Sequence, residues 1–598
     1  MQQINSFQDV HDQEIIDGNP RPGFSGIGPL RGRQDYSATE QIVLDYFFTR
    51  TDSNVYAATD NMPNELWAQL MGQFARTSTP ARDRALKIIN STAERYGSAD
   101  VETLATLIEK GRDVEQALEI VKKKASEWVS KWGIDYGHAS LRDSGVIRMV
   151  FEGISQRFTK EIEAAREGAY QEISTRAVPF TPENLGTPYE LRGTGFEQPV
   201  QDLDARLIET YQAIYDGLIP HLHKKFQHLR EEADEHIATA LGKDKEKIEE
   251  KDWRVNDKEW EGIIKSKAFD VARYMLPQNI TTAVGVTLNA RRFQDQLTMW
   301  QSHPLWEVRV MGKVAQIESK KISPELMKYG NPSEYYLALQ PKLDNLAEET
   351  LPEKEIGTDS YRHRNVQSKL VSASPQLENL VLTSILFNGT DGRISMEEIL
   401  GKVERLDEAQ RRHIAVTAME DMGPHDLYAK IMEIGSLVFE RVYDIGAYRD
   451  LQRQRGDRQQ RNRYGVVGYN MPKEVAAIGL EKVFEARMDE VKELYEAIKA
   501  NPEFRDAAEY IPVMANVVRH VVTKEPVQMF YEAGLRTQPA GIDSYRSIIQ
   551  QEMEQTFELM PAFRGLVKVN NDYYDLGRLP EKVNSKIRKA REKTEKMA

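Results

Sequence analysis

Cysteine is absent from all 598 residues. That excludes disulfides, thiolate-held metals and every mechanism built on a cysteine nucleophile. Long apolar runs are absent too: nothing approaches the ~20 consecutive apolar residues that a membrane span requires. The opening residues, MQQINSFQDVHDQEIIDG, are polar and carry no apolar core, so no secretory leader is expected. A cytoplasmic protein with no membrane partner is the expectation. Positive charge is in deficit, with 80 Lys and Arg against 93 Asp and Glu and a net charge of −13. Phosphate backbones are held by excess cations, so no stable nucleic-acid partner is expected, which leaves room for a local basic site.

What is present is ordinary for a globular protein: 40% hydrophobic and 29% charged residues. The length exceeds what one core can serve, so two to four domains are expected. Residues 1–36, rich in Gly, Pro and Asp, read as a flexible N-terminal arm. Gly23, Gly26 and Gly28 have no strand leading in and no helix leading out, which argues against a phosphate loop. Residues 37–323 form a first globular pattern and 324–364, punctuated by Pro, Glu and Gly, a linker. A second pattern spans 365–578, and 579–598 is a basic helix, frayed or docked by charge.

Two stretches organise the chain. Glu163–Phe180, EAAREGAYQEISTRAVPF, follows a strand-to-helix run (Val146–Ala165, with Phe151–Ile162 apolar and helix-like) and ends where Pro179 forbids further helix. It presents Gln171, Glu172, Ser174, Thr175 and Arg176 directly after a buried segment, the position in which loops carry function. Much later, Tyr448–Gly465 repeats the layout after Gly435–Asp450, which reads as an apolar helix. Asn365–Phe387 reads as a short strand, then an apolar helix after Pro375. On the helix predicted over Asp202–Ala240, His228, Glu232 and His236 share one face at metal-ligand spacing. On so charged a helix they read as a solvated face, and no metal is expected.

At these residues the chain resembles the flavin-dependent thymidylate synthases, in a long, internally duplicated form. The likeness rests on YGHASLRDSG, EGISQRF…REGAYQEISTR, ARYMLP…TLNARR and SHPLWEVR in the first half. In the second half it rests on YRDLQRQR and GLRTQPAGIDSYR. The family's hallmark is Arg-His-Arg, seven residues, Ser, then Arg-Tyr. In the first half Ala164, Ala165 and Arg166 stand on the triplet, so two of its residues are missing, whereas Glu172, Ser174 and Arg176 match and Ala177 replaces the Tyr. In the second half Arg453, Gln454 and Arg455 keep the triplet except its His, and Arg463 stands where the Ser belongs. Arg362-His363-Arg364 with Ser372 fits triplet and serine by spacing. It lacks both a preceding apolar helix and a following Arg-Tyr, and reads as coincidence.

The resemblance implies an α+β fold: two tandem domains like the thymidylate synthase complementing protein, each with a mixed or antiparallel sheet and long helices. It implies an enzyme that methylates dUMP to dTMP. Methylenetetrahydrofolate would be the carbon donor, reduced FAD the hydride source and NADPH the flavin's reductant. Ser174 would lie at the reacting base; Glu172, Arg176, Arg273, Gln452 and Arg536 would bind the nucleotide. His138, Arg166, Asn289, Arg291, Arg453 and Arg455 would hold the flavin. Several guanidinium groups suit a ligand set rich in phosphates. Because the family's sites form between subunits of a tetramer, a tandem chain is expected to dimerise into a pseudo-tetramer.

Plainer readings stand beside these. The arginines from Arg449 to Arg463 could be a solvated helix end or an RNA-contact patch, Ser174 a turn cap, and His138 a core histidine. The chain could also be a flavoenzyme acting on another pyrimidine, or a decayed nucleotide-binding scaffold.

Overall fold

The computed structural model describes residues 15–16, 19–20, 31–33, 35–74, 79–97, 99–131, 139–242, 254–351, 365–423 and 426–597. Three features singled out above lie outside them: nearly all of the N-terminal arm, His138, and Arg362-His363-Arg364.

In chain order, helices α1 (Ala38–Phe47), α2 (Asn64–Phe74), α3 (Ala81–Tyr96), α4 (Val101–Lys110) and α5 (Val114–Val129) come first. Strand β1 (Val146–Ser155) runs into α6 (Gln156–Ile162), followed by β2 (Ala169–Glu172), α7 (Glu197–Ala240) and α8 (Asp257–Ala272). Strand β3 (Thr281–Asn289) then leads to α9 (Ala290–Gln301), α10 (Trp306–Ile322) and α11 (Glu334–Thr350). The remainder comprises β4 (Gln367–Ala373), α12 (Leu377–Phe387), β5 (Leu437–Asp444), α13 (Ile445–Leu451), β6 (Arg458–Arg461), β7 (Val517–Lys524), α14 (Pro526–Arg536), α15 (Asp543–Leu559) and α16 (Arg578–Met597), with the long helix Glu481–Lys499 and several short ones between. This is an α+β chain with small sheets, one of order β1-β3-β2 and one of order β4-β5-β7-β6 whose pairings are all antiparallel.

The described residues fall into two compact units. One is drawn from Met1–Val150, Glu167–Tyr170 and Gly285–Ala347; the other joins Phe151–Arg166 and Gln171–Val284 to Glu348–Ala598. Compactness therefore follows a different partition from the linear order 37–323, 324–364, 365–578. Within 324–364 the chain forms α11, none of whose residues is buried.

The first unit is held by helices with strong local signals. Ser37 caps α1, its Oγ accepting from the Glu40 N–H while the Glu40 carboxylate accepts from the Ser37 N–H. Gly97 and Gly111 close α3 and α4 in the left-handed region that suits glycine. The apolar faces meet in a core that includes Val43, Phe47, Leu66, Ile89 and Leu104.

In the second unit, Gly435–Asp450 is not one helix. Leu437–Asp444 (LVFERVYD) is strand β5, and only Ile445–Leu451 is helical. Branched and aromatic residues favour the pleated surface, and β5 pairs on both sides, with β4 and with β7. The switch to helix is set by Asp444, whose Oδ1 accepts the Ala447 N–H at 2.7 Å. The same device ends β1: Ser155 Oγ accepts from the Phe158 N–H at 3.0 Å, so the helix starts at Gln156 and not at Phe151. The basic tail, α16, is docked by charge as well as by burial of Val583 and Ile587; Lys582 and Lys586 reach Glu259 at 3.1 and 2.8 Å. His228, Glu232 and His236 are all exposed on α7, and no metal-binding group of His, Asp and Glu occurs among the described residues.

Charge is buried in this unit. The Arg441 guanidinium donates to Glu552 at 2.6 and 2.8 Å and to Glu532 at 3.3 Å. Lys524 pairs with Glu532, with Glu552 at 3.2 Å and with Asp457 at 3.6 Å, and every one of these side chains is fully buried. Neither carboxylate oxygen of Asp457 has a hydrogen-bond partner.

Candidate active site

The polar cluster of the second unit grows from α6. Its apolar residues Phe158 and Ile162 are fully buried, which carries Lys160 inward with a side chain of zero exposure. Burying an ammonium is tolerable only with partners, and Lys160 has two: Glu163 at 2.5 Å and Glu172 at 3.1 Å. The other oxygen of Glu172 accepts from Arg449 Nη2 at 2.7 Å. Thr175, in the turn after β2, accepts at Oγ1 from Arg449 at 3.1 Å and from Arg273 at 3.3 Å. Arg273 also donates to the Gly446 carbonyl at 3.3 Å and to Asp450 at 3.5 Å, and Arg453 reaches the other oxygen of Asp450 at 3.2 Å. Gln452 Nε2 donates to the Lys160 carbonyl at 2.7 Å. Thus the Glu172–Arg176 turn and the Tyr448–Arg453 helix end, far apart in sequence, form one hydrogen-bonded cluster.

Arg176 is clamped more firmly than the rest. It donates to both oxygens of Asp270, at 2.5 and 2.8 Å, and to the Ala540 carbonyl at 2.9 Å. Arg536 ends α14 with its guanidinium 5.8 Å from the Tyr545 ring centre. Ser174 is exposed, and its Oγ accepts the Arg176 N–H at 3.3 Å, the geometry of a turn-closing serine. Arg455 is exposed and has no hydrogen bond or ion pair with the described residues. Arg166 is half-buried in the same unit. Asn289, which caps α9 through the Arg292 N–H at 2.8 Å, and Arg291, paired with Asp143 at 3.3 Å, belong to the other unit.

The electrostatics favour permanent charge. Burial alone would raise Glu172, but Arg449 and then Lys160 prevail and hold it at about 2. Asp450 is likewise raised by burial and then brought to about 2 by Arg273, Arg176, Arg453 and Arg536. Glu163 moves the other way, because burial outweighs the pull of Lys160. Cations (Lys160, Arg176, Arg273, Arg449, Arg453, Arg536) outnumber carboxylates (Glu163, Glu172, Asp270, Asp450), so the cluster suits an anionic ligand. Four buried polar atoms in it have no hydrogen-bond partner, the acceptors Gln452 Oε1 and Glu163 Oε1 and the donors Arg273 Nε and Arg449 Nε. Such orphans cost free energy unless a ligand or water meets them. A cavity of about 460 Å³ borders the cluster at Arg176 and Asp270, with Tyr274, Ser544, Tyr573 and Arg578 among its walls.

Lys160, Glu163, Asp270 and Asp450 were not singled out from sequence, and Thr175 was named only as part of the polar turn. The helical offset between Asp450 and Arg453 was a usable signal. The same offset between Asp270 and Arg273 misleads, since Asp270 binds Arg176. The arginine-rich stretch is not a uniform solvated face, for Arg449 is buried and the Arg461 guanidinium lies 4.2 Å from the Tyr464 ring centre.

Against known proteins, the thymidylate synthase complementing protein family profile matches residues 70–325. A flavin-dependent thymidylate synthase of Clostridium tetani is 24% identical over 220 residues, 37% of this chain and 76% of its own. Over residues 70–325 the chain is similar to the thymidylate synthase complementing protein family. Over nearly its whole length it is similar to an UPF0159 protein of Chlamydia muridarum, 25% identical over 570 residues, covering 92% of this chain and 99% of the relative. Among solved structures, a UMP/dUMP methylase from Streptomyces cacaoi bound with 5-Br dUMP aligns over 35% of this chain and 99% of its own, at 15% identity and a TM-score of 0.30.

Proposed function

We propose that the chain is an FAD-dependent thymidylate synthase-like enzyme that methylates dUMP to dTMP with methylenetetrahydrofolate as carbon donor. The match of residues 70–325 to the thymidylate synthase complementing protein family supports the class of reaction. The observation that carries the reading is the meeting of the Glu172–Arg176 turn with the Tyr448–Arg453 helix end in one cationic cluster. Each stretch lacks part of the family pattern that the other keeps, so a tandem design that pools two incomplete halves is the economical account. A homodimer acting as a pseudo-tetramer follows from the same design.

In this reading Arg176, Arg273 and Arg536 face the nucleotide phosphate, where planar guanidinium groups bind best. The orphaned Gln452 Oε1 accepts a pyrimidine N–H. Glu172, locked by Lys160 and Arg449, positions the arginine that flanks it. Ser174 orients the base from its exposed turn. Arg453 and Arg455 are the guanidinium groups that would be available to a flavin pyrophosphate, with Arg166 in the same unit. Bound FAD, reduced by NADPH, supplies the hydride that completes the methyl group. That division of labour suits a cluster whose Glu172 and Asp450 are held ionised far below neutral pH, since such groups bind and orient but do not shuttle protons at pH 7.

A second reading, a nucleotide-binding scaffold without turnover, draws on Asp270 and Asp450, which already neutralise Arg176, Arg273 and Arg453. One experiment separates them: the purified protein, supplied with FAD, dUMP, methylenetetrahydrofolate and NADPH, is assayed for dTMP. Formation of dTMP, with flavin absorbance retained on the protein, supports the enzyme. A colourless protein that yields none, and that fails to rescue thymidine-requiring cells, sinks it.

A further inference from the structure

The loop between α14 and α15 is packed against the start of α16 backbone to backbone. A Cβ on Gly577 would lie 1.9 Å from the Pro539 carbonyl oxygen, so this position admits only glycine. The contact fixes Arg578 next to Ala540, whose carbonyl accepts from Arg176. Two guanidinium groups are thereby held on one wall of the 460 Å³ cavity. Only one of them is neutralised. Arg176 has the Asp270 clamp, whereas Arg578 makes no hydrogen bond or ion pair with any described residue. Burial and the Arg176 charge both push its pKa down, with Asp270 and Glu581 acting on it only through space. The other cations of the cavity are spoken for: Lys267 pairs with Glu474 at 2.8 Å, and Lys473 bonds the Tyr573 hydroxyl.

The rest of the wall sets what kind of anion would enter. Tyr274, Tyr573, Tyr574, Ile263 and Val271 make it aromatic and apolar as well as polar. The volume lies in the range of small-molecule sites and exceeds what an inorganic ion fills. The Arg546 guanidinium, 5.2 Å from the Tyr574 ring centre, and the Lys473 ammonium, 4.1 Å from that of Tyr573, hold those rings in place. Asp270, Glu474, Asp543 and Asp575 also line the wall; Asp270 is taken by Arg176 and Glu474 by Lys267, which leaves Arg578 beside the Arg176 charge without a bonded counter-charge, a position that an entering anion relieves.

We propose that this cavity binds a small aromatic anion, a phosphate monoester or a carboxylate, with Arg578 as its anion anchor. The proposal rests on the methylation reading only through the shared Arg176; probe binding is measured without flavin or folate, so its failure is distinct from a failed dTMP assay. Phenyl phosphate and benzoate serve as probes of the two sources, titrated calorimetrically into the full-length protein. The expected result is saturable binding of at least one probe, weakened at least tenfold in Arg578→Gln, partly restored in Arg578→Lys and unchanged in Arg393→Gln, an exposed arginine outside the cavity wall. Preference for phenyl phosphate assigns a phosphate monoester, and preference for benzoate a carboxylate. Absence of saturable binding by either probe overturns the proposal, as does equal binding by the parent and a folded Arg578→Gln. If Arg578→Gln does not fold, Arg578→Lys carries the test, and an affinity there equal to the parent's overturns it.

Discussion

Glu172 and Arg449 stand 277 residues apart in sequence and share a 2.7 Å ion pair with side-chain exposures of 5 and 7%. It links the last residue of β2 to helix α13, and Lys160 holds Glu172 from the other side. Removing one member of a buried pair leaves the other charged and unmatched, which costs about 3–5 kcal/mol. Glu172→Gln and Arg449→Gln are each expected to lower unfolding stability by that order in denaturant titrations. Because the loss comes mainly from the stranded charge, the double substitution should cost less than the sum of the two. Strict additivity would remove the coupling.

Local punctuation was legible in the sequence where a side chain acts on its own backbone. Pro375 preceding α12 is of that kind. Ser155 ending β1 was not picked out, and the basic tail stood open between frayed and docked until Glu259 was seen to meet its lysines. Strand β5 was not legible, because LVFERVYD carries enough apolar residues to read as a helix until β4 and β7 are known to flank it. The arginines of the cluster could be picked out one at a time, but their counter-charges could not. Arg176 finds Asp270 at a separation of 94 residues and Arg273 finds Asp450 at 177. No periodicity encodes such pairings, since they exist only after the chain has folded.

The buried network around Arg441 makes a pH prediction of two opposite signs. Burial, reinforced by Glu532 against Lys524 and Arg441, pushes Asp457 up to about 7. Its unfolded value is about 3.9, so folding takes up a proton between the two. This group's stabilisation is therefore present at low pH and lost as pH rises through about 7. Glu552, Glu172 and Asp450 are held at about 2 by their cations, though burial opposes. Their contribution is full above the unfolded carboxylate range of about 4 and is lost as pH falls through about 2. Thermal melts should show a midpoint that declines from about pH 4 to about pH 7 in the parent and declines less steeply in Asp457→Asn, where Asp204 and Glu65, also pushed up to about 7 by burial, keep their share. A parent profile without that decline would show that Asp457 is ionised at neutral pH.

Gly577 tests the backbone contact that places Arg578. With a Cβ 1.9 Å from the Pro539 oxygen and 3.4 Å from the Ala540 Cα, Gly577→Ala must part the two segments. Overpacking of this kind costs about 1–3 kcal/mol. The variant is expected to melt lower by several degrees, whereas Gly195→Ala, where a Cβ meets nothing within 4 Å, serves as the neutral control. Equal melting of Gly577→Ala and the parent would mean that the α16 start is not held by this contact.

Two side chains on the solvent side of the cluster, Ser174 and Arg455, separate a binding role from a structural one. Both are exposed, and Arg455 has no partner among the described residues, so replacing either should leave the melting temperature within about a degree of the parent, as surface substitutions do. If the proposed reaction is correct, Ser174→Ala removes a hydroxyl that orients the base. Losses for a single positioned hydrogen-bonding group run on the order of 100-fold in turnover. Arg455→Ala removes a charged contact worth about 1.5–3 kcal/mol, which at 1.4 kcal/mol per decade is roughly 10- to 100-fold in flavin affinity, read as flavin lost on dialysis. The two effects fall on different measurements, dTMP formation for one and retained flavin absorbance for the other. A Ser174→Ala protein that makes dTMP at the parental rate would reduce Ser174 to the turn-closing role its 3.3 Å contact with the Arg176 N–H already shows.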